Sequence, residues 1–113
     1  MLQCTSSHAP VKEYDLYLPL TYNDGRSIEP EKISRLKKAL LDKFGGLTHF
    51  PQENEGLWKL GRSTYRDKIV IVRVLADDAE DARAFMSHMR ARVLRELAQA
   101  DVLIVERDVT ALE

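Results

Sequence analysis

One short stretch of the 113-residue sequence holds side chains that together could bind a small molecule. Trp58, the only tryptophan in the chain, is followed by Arg62, Tyr65 and Asp67. Aromatic walls with a few charged groups are typical of ligand pockets. The grouping therefore predicts a ligand site near residues 56–67. A tryptophan packed in the core and a surface ion pair between Arg62 and Asp67 would explain the same residues.

His49 could add acid–base chemistry to this group, because imidazole changes its charge near neutral pH. If the extended pieces within residues 46–62 are neighbours, His49 lies near Trp58. Packing of the imidazole against the rest of the fold is the alternative. We assign no catalytic residue at this point. The candidate ligand-binding residues are His49, Trp58, Arg62, Tyr65 and Asp67.

Other kinds of site find little support in the sequence. His8, His49 and His88 are far apart and lack the spacing of a zinc site. Cys4 is the single cysteine, so no internal disulfide can form, and no Gly-x-Ser-x-Gly motif supplies a nucleophile. Gly45-Gly46 is typical of a helix end rather than of a phosphate-binding loop. We therefore expect neither a metal ion nor a cofactor.

Charge and hydropathy exclude further classes of partner. Seventeen basic and eighteen acidic residues give a net charge of −1, which provides no overall attraction for nucleic acid. The chain has no apolar run of the ~18 residues that a membrane-spanning helix needs, and its start does not resemble a signal peptide. We expect a cytoplasmic protein with neither a nucleic-acid nor a membrane partner.

Six elements must position the candidate residues. Alternating apolar residues predict strands, and apolar residues at three- and four-residue steps, flanked by Pro30 and Gly45-Gly46, predict the first helix. Acidic residues at the start and arginines at the end favour a second helix. Residues 47–50 can form a further short strand, with a polar loop after them. The predicted segments are strand 13–22, helix 29–44, a hairpin of 57–62 and 68–75 joined by 63–67, a helix after Asp77-Asp78, and strand 102–109.

This order predicts a ferredoxin-like βαββαβ sandwich, an α+β fold in which two helices cover one face of a four-stranded antiparallel sheet. With strands numbered along the chain, the expected order in the sheet is 4-1-3-2. We expect an N-terminal arm over residues 1–12 and a single domain over residues 13–113. Pro19 lies in a strand that this topology makes central, so we also expect a bulge or a local break there.

The uncovered face of such a sheet should be polar, yet residues 69–75 and 102–105 are mostly apolar on both faces. A second copy of the chain is the simplest cover, because a two-fold interface needs only a self-complementary apolar patch. We therefore expect a homodimer through the sheet face. The alternative is that residues 2–11 or 47–50 fold over this face within one chain.

Three short segments resemble a known pattern. Phe44-Gly45-Gly46-Leu47-Thr48, followed by Gly56-Leu57-Trp58 and Tyr65-Arg66-Asp67, is similar to a pattern in small bacterial proteins of unknown function with a ferredoxin-like fold. The resemblance implies a bacterial origin and this same fold, and it brings no catalytic residue.

Two functions remain open from the sequence. We expect a homodimeric module that binds a small ligand or another protein. The alternative is an enzyme of the dimeric α/β-barrel type, similar in topology to small monooxygenases and isomerases. Such an enzyme would use a pocket near the hairpin, with His49, Tyr65 and Asp67 as its polar groups.

Overall fold

The structure, a computed structural model, describes residues 8–77 and 79–112. Its strands lie in one sheet in the order β2-β3-β1-β4, and each neighbouring pair is antiparallel. This arrangement confirms the predicted ferredoxin-like α+β sandwich and its strand order. The elements are β1 (His8–Pro19), α1 (Pro30–Phe44), β2 (Thr48–Leu60), β3 (Ser63–Ala76), α2 (Ala79–Glu96) and β4 (Ile104–Leu112).

The core lies between one face of the sheet and the two helices. Even-numbered residues 14–18 of β1 and 70–76 of β3 point into it, because successive side chains of a strand alternate between faces. Burying each large apolar side chain stabilises the fold by about 1.5–3 kcal/mol relative to exposure. The buried set includes Tyr14, Leu16, Leu18, Val70, Val72 and Val74 from the sheet, Ile33, Leu36 and Leu40 from α1, and Met86, Met89, Val93 and Leu97 from α2.

Helix α1 ends at Phe44, as the sequence predicts, and begins at Pro30, one residue later than predicted. Pro30 occupies its first turn, where a missing backbone N–H costs nothing. Gly45 follows its last residue with a φ of 80°, and the Gly45 N–H donates to the carbonyl of Leu41 at 2.8 Å. Glycine adopts this left-handed conformation without the steric cost that a Cβ would add.

Strand β1 starts earlier than the alternating pattern indicates. It begins at His8 rather than Glu13, and residues 8–12 pair with β4. Part of the segment predicted as an N-terminal arm is therefore sheet. The remainder of that segment, residues 1–7, lies outside the described residues.

The bulge expected at Pro19 is absent, since the pairing of β1 with β3 is continuous through this residue. The Tyr17 N–H points towards the β4 side of the strand, where it donates to Leu103 O at 3.0 Å. By alternation the nitrogen of Pro19 points the same way. The last β1–β4 pair is Leu16 with Ile104, so Pro19 costs the β4 ladder no hydrogen bond.

The hairpin of β2 and β3 is longer than predicted and has a shorter turn. Residues 51–56 and 63–67, which we expected to be loops, belong to the strands. The turn consists of Gly61 and Arg62, and the positive φ of 63° at Gly61 is typical of a type II′ turn. The register shifts between Phe50 and Asn54, where Pro51 interrupts the edge strand.

Residues 63–68 of β3 pair with β2 but not with β1, so residues 54–68 form a two-stranded ribbon that extends from the sheet. The molecule is accordingly elongated, with extents of 53, 29 and 26 Å. The candidate ligand residues Trp58, Tyr65 and Asp67 all lie on this ribbon.

Candidate functional site

A cleft of about 240 Å³ lies where the ribbon leaves the sheet. It forms because β1 ends at Pro19 and β4 begins only at Ile104, so the sheet narrows there from four strands to two. Its lining is mostly apolar. The walls come from β1, from the ribbon and from the segment between α2 and β4, and they include Tyr17, Pro19, Gly56, Trp58, Asp67, Ile69, Gln99, Asp101 and Leu103.

Trp58 forms the aromatic wall of the cleft, and two contacts hold it there. Its indole stacks on Tyr65, the residue opposite it in the hairpin, with ring centroids 4.7 Å apart and planes 23° from parallel. Its Nε1 donates a hydrogen bond of 2.7 Å to Oδ2 of Asp67. Stacking and the hydrogen bond together restrict the ring to one orientation. Trp58 and Asp67 line the cleft, and Tyr65, which pairs directly with Trp58, supports the indole from outside the lining.

The opposite wall is the segment that leads from α2 into β4. Asp101 accepts hydrogen bonds from the backbone N–H of Val102, at 2.8 Å, and from Arg90 of α2. Gln99 donates to the carbonyl of Leu97 at 2.9 Å. The Arg90 bond ties the segment to α2, and the other two bonds fix the conformation of the segment itself. The charged residues that line the cleft are therefore both acidic, Asp67 on one wall and Asp101 on the other.

His49 lies on the other face of the sheet. It pairs with Val72, a core residue, and its Nδ1 lies 2.7 Å from Nζ of Lys37 on α1. A lysine ammonium can only donate, so Nδ1 accepts and the ring is neutral. Burial lowers the pKa of His49, and the charge of Lys37 lowers it further. The structure thus separates His49 from Trp58 and Asp67.

Arg62 is also distant from the cleft lining. It occupies the turn at the tip of the ribbon and is exposed to solvent. The Asp67 carboxylate, proposed as a surface partner of Arg62, accepts from Trp58 instead. Of the five candidate residues, the structure brings together Trp58, Tyr65 and Asp67.

Sequence reasoning missed several residues of the cleft. Tyr17 lies within the predicted strand 13–22 but is not among the five candidate residues, and nothing in the pattern around Gln99 and Asp101 indicates a site. Tertiary packing places these residues around the same cleft as Trp58, and spacing along the chain does not encode that packing. The cue that was present is the alternation within the predicted strand 13–22, which places Tyr17 and Pro19 on the face opposite Tyr14, Leu16 and Leu18.

The open face of the sheet carries a separate polar cluster. The Asp15 side chain is only 3% exposed and accepts two hydrogen bonds from Arg73, at 2.8 and 3.0 Å, and one from Arg107, at 2.8 Å. The Arg73 hydrogen bonds hold the pKa of Asp15 below its usual value, although burial opposes this. Glu13 lies 3.3 Å from both guanidinium groups, and Arg73 also lies over the Phe50 ring, 5.0 Å from its centroid.

The described residues contain neither a candidate metal cluster nor a helix that could span a membrane. Within residues 8–77 and 79–112, no three His, Cys, Asp or Glu side chains are grouped so that they could hold a metal ion. In the same part of the chain, neither helix combines the length and the apolar character needed to span a bilayer.

Comparisons with known proteins show the fold. No family model and no curated protein matches this chain. A phage SAM lyase in complex with S-methyl-5'-thioadenosine is similar in structure, with a TM-score of 0.68, 10% identity and coverage of 100% of this chain and 95% of that chain. A phage SAM lyase in the apo state gives a TM-score of 0.63 at 10% identity, with coverage of 100% and 96%.

The B. subtilis GlnK–ATP complex is also similar, with a TM-score of 0.53, 15% identity and coverage of 94% of this chain and 85% of that chain. At such identities the likeness shows a shared fold alone. It supports the fold that the resemblance to small bacterial proteins implies.

Proposed function

We propose that this chain is a small-ligand-binding module and that its site is the cleft at the base of the ribbon. The observation that carries the proposal is the fixed indole of Trp58, which is stacked on Tyr65 and hydrogen-bonded to Asp67 at the edge of a mostly apolar cleft. An apolar cleft with a preorganised aromatic wall and a few polar groups suits a flat heterocycle. The volume of about 240 Å³ suits a small ligand.

An adenosine-containing molecule is the ligand to test first. Two of the three similar solved structures hold S-methyl-5'-thioadenosine and ATP, and these two molecules share an adenosine group. Adenine offers a flat ring that an indole can contact, and ribose hydroxyls can donate hydrogen bonds to carboxylates such as Asp67.

The test is to titrate the protein with S-methyl-5'-thioadenosine and with adenosine. Calorimetry measures the heat of binding, and fluorescence measures the tryptophan emission. Trp58 is the only tryptophan, so its emission reports on the cleft directly. Saturable binding with a change in emission supports the proposal. Heat of binding without any change in emission would place the ligand elsewhere, and an absence of binding up to millimolar concentration would contradict an adenosine ligand.

A variant that fills the cleft sharpens this test. Gly56 pairs with Asp67 and lines the cleft, and a Cβ on it would meet only ordinary contacts at 3.9 and 4.0 Å. The Gly56→Val variant should therefore fold but should no longer bind the ligand. Gly46→Val, at a position with nothing within 4 Å, is the matched control and should bind as the natural chain does.

We also propose that two copies of the chain associate through the open sheet face. The cluster around Asp15 balances two carboxylates with two guanidinium groups, so the centre of the face has little net charge to oppose association. Residues 8–11 and 48–50 are strands within the sheet and do not cover this face. Beside the cluster and outside the cleft lining, the open face carries the partly buried apolar side chains of Ile71, Val105 and Val109.

Light scattering over a dilution series tests this association. The natural chain should have the mass of a dimer, and Ile71→Asp, which puts a charge on the open face, should have the mass of a monomer. Ser87→Asp, on the exposed surface of α2, is the matched control and should remain dimeric. A natural chain that is monomeric at every concentration would rule out the dimer.

The enzyme alternative requires His49, Tyr65 and Asp67 to converge on one substrate. The contact of His49 with Lys37, on the helix-covered face, argues against a shared site within one chain. His49→Ala should therefore leave ligand binding intact. A module that binds another protein is the other alternative, and the exposed Leu57 and Leu60 of the ribbon would serve it. A bacterial origin and a cytoplasmic location stay predictions from the sequence.

A further inference from the structure

We infer that the cleft selects an unphosphorylated nucleoside and rejects the corresponding nucleotides. This inference rests on the proposed function and adds the charge class of the ligand. Its basis is the distribution of charge around the cleft.

The charged residues in the lining are both acidic and face the cleft from opposite walls. Asp67 comes from β3 and Asp101 from the segment before β4. None of the lysines or arginines within the described residues is among the lining residues. A phosphate group brings at least one negative charge and needs cationic or N–H donors, whereas a carboxylate can only accept. The two carboxylates would therefore repel the phosphate of a nucleotide, whereas they can accept hydrogen bonds from the hydroxyl groups of a nucleoside.

The basic residues near the cleft in sequence point away from it. Arg66 and Lys68 flank Asp67 on β3, so strand alternation places both on the other face of the ribbon. There Arg66 lies 3.6 Å from Glu55. Neither side chain can therefore neutralise a phosphate in the cleft.

Arg90 is the cation in direct contact with a lining carboxylate. It reaches Asp101 from α2 and lines a different depression, beside Tyr14 and Glu106. Its hydrogen bond offsets part of the Asp101 charge and orients that carboxylate. The cleft lining nevertheless keeps a net negative charge, because the hydrogen-bond partner of Asp67 is the neutral indole of Trp58.

The test compares adenosine, AMP and ATP by calorimetry at low and constant ionic strength, where surface charges are least screened. We expect AMP to bind at least tenfold more weakly than adenosine, a difference of about 1.4 kcal/mol, and ATP to bind more weakly still. Asp101→Asn should reduce the ratio of adenosine to AMP affinity about threefold or more. The matched control is Asp108→Asn, which removes one charge from an exposed β4 residue outside the cleft and should leave the ratio unchanged.

The outcomes separate this inference from the proposed function. If adenosine and AMP bind equally, or if AMP binds more tightly, the inferred selectivity for an uncharged ligand is wrong. The proposed ligand-binding function would still stand. If neither binds, the proposed adenosine ligand fails, and this inference fails with it. An equal change of the ratio in Asp101→Asn and Asp108→Asn would assign the selectivity to net charge and overturn the role of the cleft carboxylates.

Discussion

Replacing Asp15 by asparagine tests whether the polar cluster stabilises the open face of the sheet. Asp15→Asn keeps the shape of the side chain but removes its charge and places an NH₂ group against donors. The buried carboxylate accepts three hydrogen bonds of 3.0 Å or less from Arg73 and Arg107. The substitution therefore removes one acceptor and weakens the remaining charge-assisted bonds.

The expected cost follows from what happens to the two arginines. Removing one partner of a buried ion pair costs about 3–5 kcal/mol when the other charge is left uncompensated. Arg73 and Arg107 are 38% and 43% exposed, and both stay close to Glu13, so solvent and Glu13 offset part of the loss. We expect the lower end of the range, about 3 kcal/mol. For 113 residues this corresponds to a fall in Tm of about 12 °C.

Urea unfolding followed by far-ultraviolet circular dichroism measures this cost, because Trp58 fluorescence would report on the ribbon instead. Glu13→Gln is the control, and its longer 3.3 Å contacts predict a loss of about 1 kcal/mol or less. The pKa of Asp15 is lowered in the folded state, so its stabilisation is present above the unfolded value of 3.8 and is lost as the pH falls below it. Asp15→Asn should remove that acid dependence. A loss below 1 kcal/mol, or equal losses in the two variants, would refute the reasoning.

Three further predictions concern the helices and their contacts. The pKa of His49 is lowered in the folded state, so the unfolded chain binds a proton more readily and stability should fall as the pH drops below 6.5. His49→Gln should remove this decline in urea midpoints between pH 7.5 and 5.5, and an unchanged decline would assign it to other groups. Leu40→Ala, in the core, should cost about 3 kcal/mol, whereas Leu41→Ala, at the exposed neighbour, should cost less than about 0.5 kcal/mol in the same assay. Gly45→Ala should cost about 1 kcal/mol because φ is positive there, and Gly46→Ala should be close to neutral; equal effects would argue against a conformational cause.

Most of the fold could be predicted because burial leaves a local pattern in the sequence. The alternation of Tyr14, Leu16 and Leu18 and the helical stripe before Gly45 each follow from one face packing against the core. The predicted hairpin loops were wrong for a related reason. Most of the ribbon is exposed to solvent, so residues 51–56 and 63–67 carry many polar side chains that are typical of loops.

Only the part of the candidate site that lies within one hairpin could be predicted from the sequence. Trp58, Tyr65 and Asp67 are close along the chain, and cross-strand pairing brings them into contact. His49 was expected beside them because it belongs to the same stretch. Its side of the sheet depends on the register with Val72, which the interruption near Pro51 makes hard to infer from sequence.

The sequence by itself determined the order of the elements, the core faces of the strands and helices, and the grouping of aromatic and acidic residues in the hairpin. Those features depend on side-chain periodicity and on contacts between near neighbours. Only the tertiary structure decided that Tyr17 and Asp101 face Trp58 across a cleft and that two arginines surround Asp15. These contacts join residues far apart in the chain, and their geometry follows from where each strand ends and which partner it pairs with.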